Sequence, residues 1–234
     1  MDPLLKVNES HKNGILPDKT YSLIMERFGI VVEGIDRIEK ASKINFPLAY
    51  VEPSIITSQH AGSFDYGILF ARTLPVVTNG KVEIIIQITA PLVAYGLKGT
   101  IHAILAHEFL HYLELVKRMS RMEMVSDEIS GNLFESTYAD TTRLFEPRAV
   151  FDDKTLLSHI TKKFPEGFRD YKLEDKVIKN WIQKKLPAIN IALDTNTVKI
   201  PADVLAKTQI DSNLLSKLEH IEQKAIKLRK KKLY

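Results

Sequence analysis

The chain contains no cysteine among its 234 residues. Disulfide frameworks, cysteine zinc sites and thiol catalysis are therefore excluded. A cytoplasmic setting is the expectation from that composition. Long hydrophobic runs are also missing. The richest, VEIIIQI and LVAYGL, fall far short of the ~20 apolar residues that a membrane-spanning helix needs, so no membrane span is expected. The first residues, MDPLLKVNESHKNG, lack the continuous apolar stretch of a secretory leader. No repeat of 20 to 50 residues is visible, which sets aside solenoids and propellers. Neither sign of charge dominates: 33 Lys and Arg stand against 29 Asp and Glu.

What is present is the composition of a folded globular protein, 44% hydrophobic and 26% charged. The small basic excess is uneven. KAIKLRKKKLY, Lys224 to Tyr234, holds six Lys or Arg and no acid, and the remainder is nearly neutral. Leu214 to Leu233 reads as an amphipathic helix with Leu215, Leu218, Ile221, Ala225 and Leu228 along one stripe. Its charged end is open to nucleic acid or an anionic membrane face. The aromatics that single-strand binders interleave with basic residues are absent. A solvated helix end, where Lys and Arg suit the negative pole of the dipole, is the favoured reading.

Periodicity sets out the elements. A helix is expected from Asp18, which after Pro17 can cap it, to about Ser42, with Gly29 and Gly34 as points where it could break. Phe46 to Gly67 reads as short strands and loops. Thr78-Asn79-Gly80-Lys81 carries the Asn-Gly pair of a type I′ hairpin turn. Gly67 to Val77 supplies one or two strands, interrupted at Pro75. Val82 to Thr89, with its Ile-Ile-Ile centre, is a strand buried on both faces and ended by Pro91 and Gly96. A long helix follows over Lys98 to Met119, and a second over Glu123 to Phe145 that stops before Pro147. Further on come a helix over Lys172 to Lys185, short strands Ile189 to Leu193 and Thr197 to Ile200, and a helical region from Pro201. The expected division is 1–147 as a main domain and 148–234 as a mostly helical part with the basic tail, or one compact unit.

The chemistry lies in LAHEFLHYL, Leu105 to Leu113. On a helix, residues four apart are separated by about 40° round the axis and one turn along it. His107 and His111 therefore point the same way and can share one ion. Glu108, about 100° from His107, can reach a water beside that ion. Two neutral imidazoles to hold Zn2+ and one carboxylate to take a proton is the division of labour of metal-assisted peptide hydrolysis. With 7 His and 16 Glu in the chain, a shuffle gives His-Glu-x-x-His only about 0.01–0.02 times. The flanking Ile104, Leu105, Phe109, Leu110, Tyr112 and Leu113 are uncharged, so the helix is buried nearly all round. Three ionisable groups there need partners. The plainer alternative is a hydrogen-bonded His pair with Glu108 bridged to a Lys or Arg. His102, about 140° from His107, is a packing or surface residue on this reading, and His11, His60, His159 and His220 have no supporting spacing.

His107-Glu108-Phe109-Leu110-His111 resembles the signature of the zincin metallopeptidases. The resemblance covers Val82 to Phe145, about a quarter of the chain. It implies an α+β, zincin-like fold: a small mixed or antiparallel sheet packed on the motif helix and on a following glutamate helix. It implies Zn2+ as cofactor, a peptide or protein substrate, and Val82 to Thr89 as the strand whose edge receives that substrate. The variety with a third histidine is excluded, since Glu114 stands where its glycine belongs and no histidine follows His111 in the helix. The gluzincin pattern remains, with a thermolysin-type glutamate from the second helix as third ligand. Reflection of an antiparallel hairpin about Arg121 brings Glu135 level with His107 and Glu128 level with Glu114, and leaves Glu123 in the turn. Glu135 is thus the first candidate and Glu128 the alternative. The Ala139-Asp140 pair comes one place later than gluzincins usually have it after the third ligand. Tyr95 and Tyr138 are candidates to stabilise an oxyanion, while Tyr112 is expected to pack. The competing class is a zincin-like binding or regulatory domain, with the metal in a structural or single-partner role and the basic tail near nucleic acid. Glu108 argues for the enzyme, because a structural zinc site needs no general base.

Overall fold

The computed structural model describes residues 2–59, 66–120, 145–165, 168, 170–192, 200 and 202–231. It is an α+β structure with two small three-stranded mixed sheets among helices. No helix among the described residues is long and apolar enough to cross a membrane.

After a short helix α1 (Leu5–Lys12), helix α2 runs unbroken over Asp18–Ser42. Its buried residues Ile24, Val31, Gly34, Ile38 and Ala41 recur every three to seven positions and form one face. Pro17 is the residue before the first turn, and Lys43, at φ 59°, ends the helix in the left-handed region. Asp18 occupies the first helical position rather than the cap, and its carboxylate lies 2.8 Å from His11 Nε2. Gly34 does not break the helix. A Cβ there would stand 2.8 Å from His102 Cδ2 and 2.9 Å from Leu105 Cδ1. The glycine is what lets α2 lie close against the motif helix.

Strands β1 (Leu48–Glu52), β4 (Ala71–Thr78) and β5 (Lys81–Thr89) form the first sheet in the order β1-β5-β4. The β4–β5 hairpin turns at Asn79 and Gly80, φ 52° and 70°, as the Asn-Gly pair predicts. β1 runs parallel to the other side of β5, from Leu48 opposite Ile85 to Glu52 opposite Thr89. The Val82–Thr89 strand is therefore central. Its expected part as a substrate-binding edge is corrected over Ile85–Thr89, which is paired on both sides, and the expected burial on both faces is found over Ile86–Thr89 but not at Glu83, which is exposed. Among the described residues the edge strands of this sheet are β1 and β4. Pro75 lies within β4 without ending it, as suits an edge strand. The break falls at Phe70, and a separate strand β3 (Tyr66–Leu69) precedes it. β3 pairs antiparallel with β2 (Ile55–Gln59), and β6 (Ala188–Ala192) pairs parallel with β2 on the other side.

Pro91 opens a short helix α3 (Ala90–Tyr95) instead of only ending β5. Helix α4 follows over Lys98–Ser120, one residue beyond the expected end. Every residue from Thr100 to Leu110 is buried, because α2, β4, β5 and the helix over Lys154–Lys163 all pack around it. The second helix of the expected hairpin, Glu123 to Phe145, lies outside the described residues except for Phe145. The later part holds α5 (Pro147–Val150) and α6 (Lys154–Lys163), the latter capped by Asp153, which accepts from Leu156 N at 2.8 Å. α7 (Tyr171–Val177) is capped by Asp170 and runs into a π-helical turn at Ile178–Ile182. The single helix expected over Lys172 to Lys185 is thus shorter and changes pitch. The wider turn brings Trp181 fully inside, where its Nε1 donates to Pro187 O at 2.9 Å. Of the two late strands, Ile189 to Leu193 corresponds to β6, and Thr197 to Ile200 lies almost wholly outside the described residues. The last helical region is two helices, α8 (Ala202–Lys207) and α9 (Ser212–Lys231). Leu218, Ile221 and Ala225 of α9 are buried, as the stripe predicts. One main core draws on residues from Leu4 to Ala225, taken from both sides of position 147.

Candidate metal centre

Helix α4 places His107, Glu108 and His111 at the junction of the β4 edge and helix α6. The Nε2 atoms of His107 and His111 are hydrogen-bonded to each other at 3.0 Å, as the plainer alternative expects of the pair, with the rings nearly perpendicular at 85°. His107 is 8% exposed and Glu108 7%; His111 is half-buried. Burial disfavours charge on both rings. It brings His107 down to about 4 and holds His111 well below the ordinary histidine value, with His107 and the Arg118 guanidinium adding to the effect. Both imidazoles are therefore neutral at pH 7, which is the form that binds a metal.

Two neutral imidazole nitrogens are donors of the kind that bind Zn2+. Tetrahedral coordination with Zn–N bonds of about 2.0–2.1 Å spaces two nitrogens about 3.3 Å apart. The pair is already at 3.0 Å. A catalytic site needs a third protein ligand. Among the described residues no group of three His, Cys, Asp or Glu comes together. Glu123, Glu128 and Glu135 all lie outside the described residues, as does Tyr138.

Glu108 points at the sheet. Its Oε2 accepts from Thr73 Oγ1 at 2.8 Å, and the same hydroxyl lies 3.0 Å from the Glu108 main-chain oxygen. Burial pushes the carboxyl up to about 7, against the opposing hydrogen bond from Thr73. The bridge to a Lys or Arg that the plainer reading would require is not found among the described residues. A buried carboxyl near 7 is matched to taking and returning a proton at neutral pH.

Two neighbours had not been singled out in the sequence. Thr73 had a signal: Ala71, Thr73 and Pro75 alternate inward, and a threonine on a buried face needs a partner. Phe164 had none. It follows α6 and stacks flat on His107, 4.0 Å between centroids and 6° between planes, backed by Phe168 at 5.4 Å. The other histidines behave as packing or surface residues. His102 is buried between α2 and α4, its Nε2 3.2 Å from Ile30 O and its Nδ1 3.4 Å from Arg37. His11 stacks on Tyr21, His159 lies against Gly99 and His220 is exposed. His60 lies outside the described residues. Tyr112 packs on Phe109 as expected, at 5.7 Å, and Tyr95 is a partly buried residue packed on the core.

No family model, no curated protein and no solved structure matches this chain.

Proposed function

We propose that this chain is a zinc-dependent peptide hydrolase of the zincin kind. His107, His111 and a glutamate, Glu135 or its alternative Glu128, would hold Zn2+, and Glu108 is the general base. The observation that carries this reading is the convergence of two buried, neutral imidazoles at 3.0 Å beside a buried carboxyl. Bound there, Zn2+ would acidify a water and polarise the scissile carbonyl.

The chain's own residues do the rest. Glu108 takes a proton from the attacking water as the new C–O bond forms. It then delivers that proton to the amine nitrogen as the C–N bond breaks. The apolar sheath of α4 keeps bulk water from competing for the carboxyl. The Phe164 ring closes one face of His107. The substrate is a peptide or protein segment and the setting cytoplasmic, the latter on the cysteine-free composition.

Elemental mass spectrometry of the purified protein tests the reading, run beside His111→Ala, Glu128→Gln and Glu135→Gln. About one zinc per chain, lost in His111→Ala and weakened in one glutamate variant, supports it and names the third ligand. Glu108→Gln should keep the metal and lose hydrolysis. Absence of metal after zinc is added back at neutral pH would leave the histidines as core residues.

A further inference from the structure

Thr73 is 6% exposed and stands on the outer strand of the first sheet, opposite Ile86. Ala71 and Pro75, the other inward residues around it, carry no hydroxyl. Its Oγ1 meets two oxygens of one residue: Glu108 Oε2 at 2.8 Å and Glu108 main-chain O at 3.0 Å. We propose that Thr73 is a positioning residue for the general base, tying one carboxylate oxygen of Glu108 to the sheet and leaving Oε1 to handle the proton in transit. The inference rests on the reading of Glu108 given above.

The physical case is geometric. A glutamate side chain turns about three bonds, and nothing apolar around it selects one orientation of its carboxylate. Donors held on a rigid strand do, and the Thr73 hydroxyl is the one that a substitution can remove. The Thr73 main chain also hydrogen-bonds the carboxyl, so both contacts come from one residue of the strand. A hydroxyl has one hydrogen to give and lone pairs to accept with. With the carboxylate ionised, that hydrogen goes to Oε2. With a proton on Oε1, Oε2 remains an acceptor for that same hydrogen. The same contact then survives both halves of the proton's passage, with no movement of the glutamate. Neither valine nor alanine could do this, and serine could.

The test compares Thr73→Val, nearly the same shape, with Thr73→Ser in the zinc-loaded protein. In Thr73→Val, kcat should fall by about 10–100-fold, the range for lost outer partners of a metal site. KM should stay within about 2-fold and zinc content should be unchanged. Thr73→Ser should restore kcat to within about 3-fold of the parent. A second readout needs no activity. In protein labelled with carboxyl-13C glutamate, the Glu108 resonance, assigned by its loss in Glu108→Gln, should shift in Thr73→Val and return in Thr73→Ser. An unmoved resonance in Thr73→Val, or unchanged kcat there, overturns the proposal. So does Thr73→Ser as impaired as Thr73→Val. A shifted resonance in a protein that hydrolyses no peptide would sustain the positioning contact and defeat the peptidase reading instead.

Discussion

Phe164 lies flat against His107, ring on ring at 4.0 Å, although it follows a helix that the sequence gives no reason to pair with α4. The stack covers one face of the imidazole while its Nε2 stays turned toward His111. An aromatic plate of this kind fixes the ring and excludes water from it.

Phe164→Ala should therefore weaken metal binding without removing a ligand. Zinc loss to a competing chelator should be about 10-fold easier than in the parent, and Phe164→Leu should fall between the two. Equal retention of zinc in all three proteins would show that the stack is packing alone.

Glu108 gives a pH dependence whose sign follows from its burial. In the metal-free protein its folded value, about 7, lies above the ordinary 4.5. Its contribution to stability is thus fully present below 4.5 and is lost as pH rises through about 7. Urea unfolding of the metal-free protein should show Glu108→Gln gaining on the parent between pH 5 and pH 8, by roughly 3 kcal/mol at the upper end. A constant difference across that range would mean that the carboxyl is not desolvated.

Asp153 titrates in the opposite sense. Its two oxygens accept from Arg37 Nε and Nη2 at 2.7 and 2.8 Å, and that pairing holds its carboxyl at about 2, below the ordinary 3.8. The stabilisation is present above 3.8 and lost as pH falls through about 2. Asp153→Asn keeps a good helix cap and removes the charge. It should cost about 1–2 kcal/mol at pH 6, allowing for solvent screening, and the gap from the parent should close below about pH 2. Denaturant titrations at both pH values measure it.

Gly34→Ala tests the close approach of α2 and α4. Alanine favours a helix interior by about 1 kcal/mol over glycine. Here its methyl meets His102 and Leu105 at 2.8 and 2.9 Å. Overpacking of about 1–3 kcal/mol should win, and thermal melting should fall by roughly 2–6 °C. A higher melting temperature would mean that the two helices separate freely.

Local rules made the long elements legible in the sequence. Period 3.6 marked Asp18–Ser42 and the motif helix, and Asn79-Gly80 marked the hairpin, because these depend on neighbours in the chain. Helical spacing alone brought His107 and His111 together and set Glu108 to the side. Tertiary structure decided the rest. The partner of β5 on its far side is β1, a parallel strand well separated in sequence, so the centre and edge of the sheet could not be read from the Val82–Thr89 run itself. The same holds for Thr73 at Glu108 and Phe164 at His107. Sequence fixes which side chains a helix turns to one face; only the packing of that face against a strand and another helix selects what meets them there.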